Sequence, residues 1–360
     1  MSLTVTLQAS GKRFDVAPGE TVLEAARRAG LALPYSCLAG VCGSCKATLV
    51  AGECTYPRNP PSALSADERL HHKVLLCQAV PTGDLVVAAR EVASVADIPR
   101  RRFDVVVAEK AKLGEDIVRL VLRTAPGERM RRLAGQYLDV LLDDGRRRSF
   151  SIANAPSGIA RHEDDAIELH VRRVAGGGFT AAVFDTLEVG ARLRVEGPLG
   201  TFVPREDSER PILLMAGGSG FAPIKALVEH FVELGARRPM TLYWGAREPR
   251  DLYLRDLPER WARDVPHFRF VPMLSSEVSQ GEGADDGARR GLVHEVLLRD
   301  HPDLSAFDLY MSGPPAMIDA GRHAFVDAGL PEERLFYDSF EYAPEVIAQI
   351  LRGRAGLAHD

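Results

Sequence analysis

Three of the five cysteines fall within nine residues. In the stretch CLAGVCGSC, Cys37, Cys42 and Cys45 form the pattern C-x4-C-x2-C, and thirty-one residues intervene before Cys77. A group of thiols this dense has few uses. The amino terminus, MSLTVTLQAS, alternates apolar and polar residues and has neither a basic start nor a long apolar core. No secretory signal is predicted, and a cytoplasmic location is expected. Reduced thiols in that compartment hold metal more often than they form disulfides. Zinc sites commonly use two tight cysteine pairs, whereas here the fourth cysteine stands alone.

The spacing C-x4-C-x2-C with one distant cysteine is that of plant-type [2Fe-2S] ligation. Cys37, Cys42, Cys45 and Cys77 are the predicted ligands. Four thiolates and two sulfides leave excess negative charge on a small core, which backbone N–H groups must offset. Gly40 and Gly43 allow the loop to wrap closely and turn its amides inward. A cysteine-rich turn or a zinc loop is the other reading of these residues. Cys54, in LVAGECTYP, is expected to be a small apolar packing residue.

At 360 residues the chain has room for two or three domains. Its net charge of -5 argues against a nucleic-acid surface, no apolar run approaches a membrane span, and no internal repeat is visible. The charge is uneven. Residues 97–205 carry 19 Lys+Arg against 16 Asp+Glu, whereas residues 206–360 carry 17 against 26. The arginine surplus of the middle segment is expected if it binds a polyanion.

Residues 1–96 read as one unit, with strands at LTVTL and KRFDVA, a helix at ETVLEAARRAG capped by Thr21, a second short helix in ADERLHHKVLL and a closing strand at DLVVAA. A linker is expected at 97–101. Residues 102–206 show six strand-like runs separated by turn signals, the pattern of a small antiparallel barrel. From 207 to 340 strands and helices alternate, which predicts a parallel α/β domain. Residues 341–360 form an extension with Val346, Ile347, Ile350 and Leu351 at helical spacing, too short to be stable undocked.

GGSGFAP, Gly217 to Pro223, lies between a predicted strand and a predicted helix. Gly217, Gly218 and Gly220 allow a pyrophosphate close to the backbone, and the helix amino terminus offers free N–H groups. Pro223 is read as a first helical residue. A tight strand–helix turn is the plain alternative. In RRRSFSIANAP, Arg148 and Phe150 share a strand face, and Ser151 takes the other face or ends the strand. Gly176, Gly177, Gly178 and Thr180 in RRVAGGGFT form a flexible run able to hold phosphate. Each motif alone is more often a turn or a solvated strand; together, ahead of a nucleotide-type domain, they favour the functional reading.

With these motifs in this order, the chain resembles the reductase components of bacterial multicomponent oxygenases, in which a plant-type ferredoxin domain is fused to a ferredoxin–NADP⁺-reductase-like module. It is similar to the reductases of methane monooxygenase, phenol hydroxylase and benzoate dioxygenase. GQYLDVLLDDGRRRSFSIANAP and LYWGAREPRDLYL resemble the CDP-6-deoxy-glucoseen reductase subgroup. The resemblance implies a multidomain α+β and α/β chain: a β-grasp ferredoxin domain, an antiparallel β-barrel for FAD and a parallel α/β domain for the nicotinamide coenzyme. It implies that Arg148 meets the FAD pyrophosphate, Phe150 the isoalloxazine, and Ser151 the flavin N5. It further implies that Gly177, Gly178 and Thr180 hold FAD phosphates, that Gly217 to Pro223 receive the dinucleotide, that Ser312, Gly313 and Pro314 line the nicotinamide side, and that Phe340 covers the other flavin face. Two positions depart from the family. Phe150 stands where tyrosine is frequent, and Ser312 where cysteine is thought to assist hydride transfer.

A nicotinamide gives two electrons as hydride, a [2Fe-2S] cluster takes one, and a flavin converts between them. The expected route is NADH, FAD, cluster, then a partner protein, a terminal oxygenase being expected and a deoxysugar dehydrase the alternative. A redox-sensing module without turnover is a rival from another class. The resemblance places Glu277 where NADP-specific relatives tend to carry arginine; a carboxylate there suits a free ribose hydroxyl and favours NADH over NADPH, while Arg247 argues the other way. A monomer is expected.

Overall fold

The computed structural model describes residues 2–58, 61–156, 166–174, 176, 178–275 and 287–340. Gly177, Glu277 and the extension 341–360 lie outside these described residues. The chain divides into two compact units. One comprises the residues up to Pro99 together with Leu199–Phe202, and the other comprises the remaining described residues.

In the first unit, five strands run in the spatial order Arg13–Val16, Leu3–Leu7, Leu85–Ala88, Lys46–Ala51 and Lys73–Leu75. The strand Leu85–Ala88, expected to close the unit, lies in the middle of the sheet. It runs parallel to Leu3–Leu7 and antiparallel to Lys46–Ala51, with Leu85 and Val87 buried on the core face. Helix Val22–Arg28 buries Val22, Leu23, Ala25 and Ala26 in the same core, which also holds Val5, Leu7 and Val87. Thr21 and Glu24 close a capping box at its start, each satisfying an amide that the helix leaves open. Ala66–Leu70 is a second short helix with a Ser65–Glu68 box. One helical turn, Ala93–Ala96, precedes the predicted linker, whose last arginine, Arg101, already opens the next strand.

The second unit begins with six strands in the order Arg147–Ser151, Tyr137–Leu141, Arg192–Leu199, Arg101–Lys112, Ile117–Thr124 and Ile167–Arg172. An antiparallel bridge between Ile152 and Leu169 joins the two ends and closes the barrel. Alternate residues, among them Val105, Val107, Leu120, Leu122, Leu138, Val140 and Leu169, fill the interior. The arginine surplus of this segment is largely spent on acidic neighbours. Arg100, Arg102 and Arg147 surround buried Glu196, Arg173 pairs with Asp185, and Arg119 pairs with Glu109 and Glu168.

The same unit continues as a parallel sheet ordered Arg289–Arg290, Phe268–Leu274, Met240–Ala246, Ile212–Gly217, Asp308–Gly313 and Leu335–Ser339. Strand Ile212–Gly217 enters first, the chain moves outward to one side, and it then returns to lay Asp308–Gly313 on the other. The direction reverses between these two strands, so a crevice is expected at their carboxyl ends, Gly217 and Gly313. The helix after the glycine turn starts at Phe221. This corrects the placement of Pro223, which is the third helical residue and is buried. It is tolerated there because none of the first four helical N–H groups has an intrahelical partner.

Candidate functional site

The four predicted cluster cysteines are drawn together in two thiol pairs. Cys37 accepts a hydrogen bond from Cys42, and Cys77 accepts one from Cys45. The bond from Cys42, opposed by burial and aided by the N–H groups of Val41, Ala39 and Cys42, brings the Cys37 thiol down to about 5. Cys45 and Cys42, the donors of the pairs and deeply buried, are pushed up. Ala39 N donates to Cys37 Sγ at 3.3 Å and Ser44 N to Cys42 Sγ at 3.5 Å. The loop reaches this shape through left-handed backbone at Gly40 (φ +81°) and also at Leu38 (φ 61°), a conformation unfavourable for a leucine. A Cβ at Gly40 would lie 2.8 Å from Gln78 Cγ, and Gln78 Nε2 donates to Leu38 O at 2.9 Å. The loop is thus pinned by the residue next to Cys77. Among the described residues no three His, Cys, Asp or Glu side chains converge on one point. Two pairs, with amides directed at the sulfurs, suit a two-iron core. Cys54 stands apart from these pairs, partly buried with its thiol near the Tyr56 hydroxyl.

In the barrel, Arg148 and Phe150 are half-buried on one face of strand Arg147–Ser151, opposite Val140 and Leu138. The Phe150 ring meets Phe179 at 5.6 Å. Ser151 ends the strand, and its hydroxyl donates to Asp338 Oδ2 at 3.3 Å. Gly178 opens the helix Gly178–Asp185, whose first amides face no intrahelical acceptor. The Thr180 hydroxyl is engaged with Val174, accepting from its N at 3.2 Å and donating to its O at 3.5 Å.

At the switch point, the glycine turn presses on the end of strand Asp308–Gly313. A Cβ on Gly220 would lie 2.1 Å from Ser312 O, and one on Gly217 would lie 2.7 Å from Met317 Sδ and 2.9 Å from Pro314 Cδ. Ser312 is wholly buried, and its hydroxyl has no partner among the described residues. Asp338 is its register neighbour, and Phe340 N donates to Gly313 O at 2.9 Å. Ser151, Ser312, Gly313, Asp338 and Phe340 therefore meet in one region. Arg247 is exposed at the carboxyl end of strand Met240–Ala246.

Two residues not singled out from sequence belong here. Asp338 is 187 residues from Ser151, and only the parallel register brings them together. Arg172 ends strand Ile167–Arg172, and its Nη2 lies 3.4 Å from where a Cβ on Gly218 would sit. Its Nη1 is 3.3 Å from Asp116 Oδ2, while buried Nε and Nη2 have no hydrogen-bond partner among the described residues. A guanidinium with two unspent donors, held over a glycine turn, is suited to a phosphate oxygen. The run of arginines hid this one in the sequence.

A thiol-lined amide loop, a barrel with a basic-aromatic edge strand, and a parallel sheet with a glycine turn at its switch point define an iron–sulfur flavoprotein oxidoreductase. Matches to domain families support each part: the 2Fe-2S iron-sulfur cluster binding domain over residues 5–82, the oxidoreductase FAD-binding domain over 104–203 and the oxidoreductase NAD-binding domain over 214–323. The chain is 38% identical to CDP-6-deoxy-L-threo-D-glycero-4-hexulose-3-dehydrase reductase of Yersinia pestis, covering 94% of this chain and 99% of that one. It is 34% identical to the terephthalate 1,2-dioxygenase reductase component 1 of Comamonas, covering 96% and 99%. The crystal structure of the Amycolatopsis cytochrome P450 reductase GcoB matches with a TM-score of 0.71 at 35% identity, covering 94% of this chain and 98% of that one. The chain belongs to this family of three-domain iron–sulfur flavoprotein reductases.

Proposed function

We propose that this protein carries electrons from NADH through FAD and a [2Fe-2S] cluster to a partner protein, a terminal oxygenase, as a cytoplasmic monomer. When bound, FAD takes two electrons as hydride and releases them singly, and the cluster passes one at a time. The observation that carries the reading is the meeting of Ser151, Ser312, Gly313, Asp338 and Phe340 beside the glycine turn, which lets a ring held by the barrel meet a ring held by the parallel domain. Arg148 and the amides after Gly176 are assigned to the FAD phosphates, and Arg172 with Gly217, Gly218 and Gly220 to the coenzyme pyrophosphate. Phe150 and Phe340 are assigned to the two flavin faces. Ser151 supplies a hydroxyl beside the reacting flavin nitrogen, and Asp338 can take a proton from it. Cys37 with Cys42 is assigned to one iron, and Cys45 with Cys77 to the other. Glu277 is the basis for preferring NADH to NADPH, and Arg247 is assigned to the coenzyme side.

A dehydrase as the accepting partner is the second reading, favoured by the 38% identity to the Yersinia reductase. Anaerobic titration with NADH tests the route: the flavin and cluster bands should both bleach, with about three electrons taken up per chain for a two-electron flavin and a one-electron cluster. Bleaching of the flavin alone would contradict it. Reduction rates with purified candidate oxygenases and dehydrases decide the partner, size-exclusion chromatography tests the monomer, and equal rates with NADH and NADPH would refute the coenzyme preference.

A further inference from the structure

Behind the glycine turn lies a buried polar chain that the electron route does not itself require. Trp244 Nε1 donates to Gly218 O at 3.0 Å, and the indole stacks on Phe221 at 3.9 Å with a 13° interplanar angle. Tyr253 packs edge-on to Trp244, and its hydroxyl lies 3.0 Å from His170 Nδ1. His170 Nε2 lies 2.9 Å from Glu168 Oε1. Glu168 also accepts from Arg119 at 2.9 Å and pairs with Lys225 at 3.2 Å. Lys225 donates to Ala153 O of the barrel at 2.9 Å, and Glu229 of the same helix accepts from Ala155 N at 3.1 Å. The glycine turn and the helix that follows it are thus tied to strand Ile167–Arg172 at two points, with Glu168 as the junction.

The polarity of the chain is fixed by its end. A carboxylate can only accept, so Nε2 of neutral His170 carries the proton and Nδ1 must accept from the Tyr253 hydroxyl. His170 and Arg172 stand two residues apart on one strand, so one strand face carries both the tie and the guanidinium facing Gly218. Whatever sets the tie also sets the gap between Arg172 and the turn.

We propose that His170 and Tyr253 are positioning residues for hydride transfer: acting through Trp244, they hold the Gly218 turn at a fixed separation from Arg172 and the barrel, so that the coenzyme's pyrophosphate seats with its nicotinamide in reach of the flavin. The inference rests on the assignment of that turn to the coenzyme. A merely structural tie would show itself in FAD content and melting temperature alone, whereas a positioning tie acts on NADH at full FAD occupancy.

The test is Tyr253→Phe in the full FAD-loaded protein, with Trp244→Phe as the second variant. Tyr253→Phe keeps its ring and loses one hydrogen bond; Trp244→Phe keeps an aromatic side chain but loses the indole N–H together with part of the buried stack on Phe221. Rapid mixing with NADH gives the limiting rate of flavin reduction and the NADH dissociation constant separately, and reduction by dithionite reports the flavin without the coenzyme. The expected result is a limiting rate lowered about tenfold, since misplacement by an ångström can cost about a hundredfold. The dissociation constant should rise, with FAD content and dithionite reduction at wild-type values. Wild-type limiting rate and NADH affinity in whichever of the two variants folds would overturn the positioning role alone. A wild-type protein that retains FAD and is not reduced by NADH would overturn the coenzyme assignment, and the tie's role with it.

Discussion

Gly220→Ala is the sharpest perturbation of the dinucleotide turn. The added Cβ would meet Ser312 O at 2.1 Å, Ser312 C at 2.5 Å and Gly313 Cα at 2.9 Å, all backbone atoms of a central strand. Ordinary contact begins near 3.4 Å, so the turn and the strand end must part by about 1.3 Å. No side chain can swing away to relieve the clash. Overpacking of this kind costs roughly 1–3 kcal/mol, and a shift of about an ångström at a reacting site lowers rates about a hundredfold. The expected outcome is a melting temperature lower by roughly 2–10 °C and NADH-dependent flavin reduction slower by about two orders of magnitude. FAD should be retained, because the barrel is untouched. Gly83→Ala is the control, since a Cβ there meets nothing within 4 Å. Differential scanning fluorimetry and rapid-mixing absorbance read the two quantities. A Gly220→Ala protein with wild-type melting and wild-type flavin reduction would refute the reasoning.

Three further outcomes follow from the same structure. Cys42→Ala should abolish the cluster spectrum, while Cys54→Ala should cost about 1 kcal/mol or less and leave it intact; equal bleaching by the two would overturn the ligand set. Ser312→Ala removes a buried hydroxyl without a partner and should raise the melting temperature of the coenzyme-free protein by roughly 2–4 °C, for about 1 kcal/mol, and a fall would mean that the hydroxyl has an acceptor. His170 is held down by burial and by the charges of Lys225 and Arg119, against the bond to Glu168. A lowered histidine contributes stability that is complete above its unfolded value, about 6.5, and is lost as pH falls from there through the folded value. Burial acts to raise Glu168, but His170, Lys225 and Arg119 outweigh it and hold the carboxyl well below its usual range, adding a second loss below about pH 4.3. His170→Gln should flatten the first step of a melting-temperature profile and shrink the second, which Lys225 and Arg119 still support; an unchanged first step would show that another group titrates there.

Local chemistry was the legible part of this chain. The cysteine spacing located the cluster loop because four ligands and their amides need only a short turn and one return, and strand alternation set Arg148 and Phe150 on one face. The six barrel strands were readable for the same reason: each is a short run between turn residues. What sequence could not supply was juxtaposition. Asp338 reaches Ser151 only through the parallel register of the last two strands, and nothing near Asp338 in the chain marks it as a partner. Arg172 is one of two adjacent arginines, and only burial distinguishes it from Arg173, which pairs with exposed Asp185. His170 and Glu168 read as ordinary strand residues until helix Phe221–Glu233 brings Lys225 against them. Strand Leu85–Ala88 looked terminal because it is last in its unit's sequence; its two buried residues fit the centre of a mixed sheet equally well.

Electrons leave through the cluster in the proposed route, and the most direct measurement compares two acceptors in Cys42→Ala protein that retains FAD. Ferricyanide can take electrons from the flavin, so NADH–ferricyanide turnover should stay within about twofold of wild type, while reduction of cytochrome c, which needs a one-electron exit, should fall by about tenfold or more. Cytochrome c reduction at the wild-type rate in the cluster-free protein would contradict the order NADH, FAD, cluster, partner.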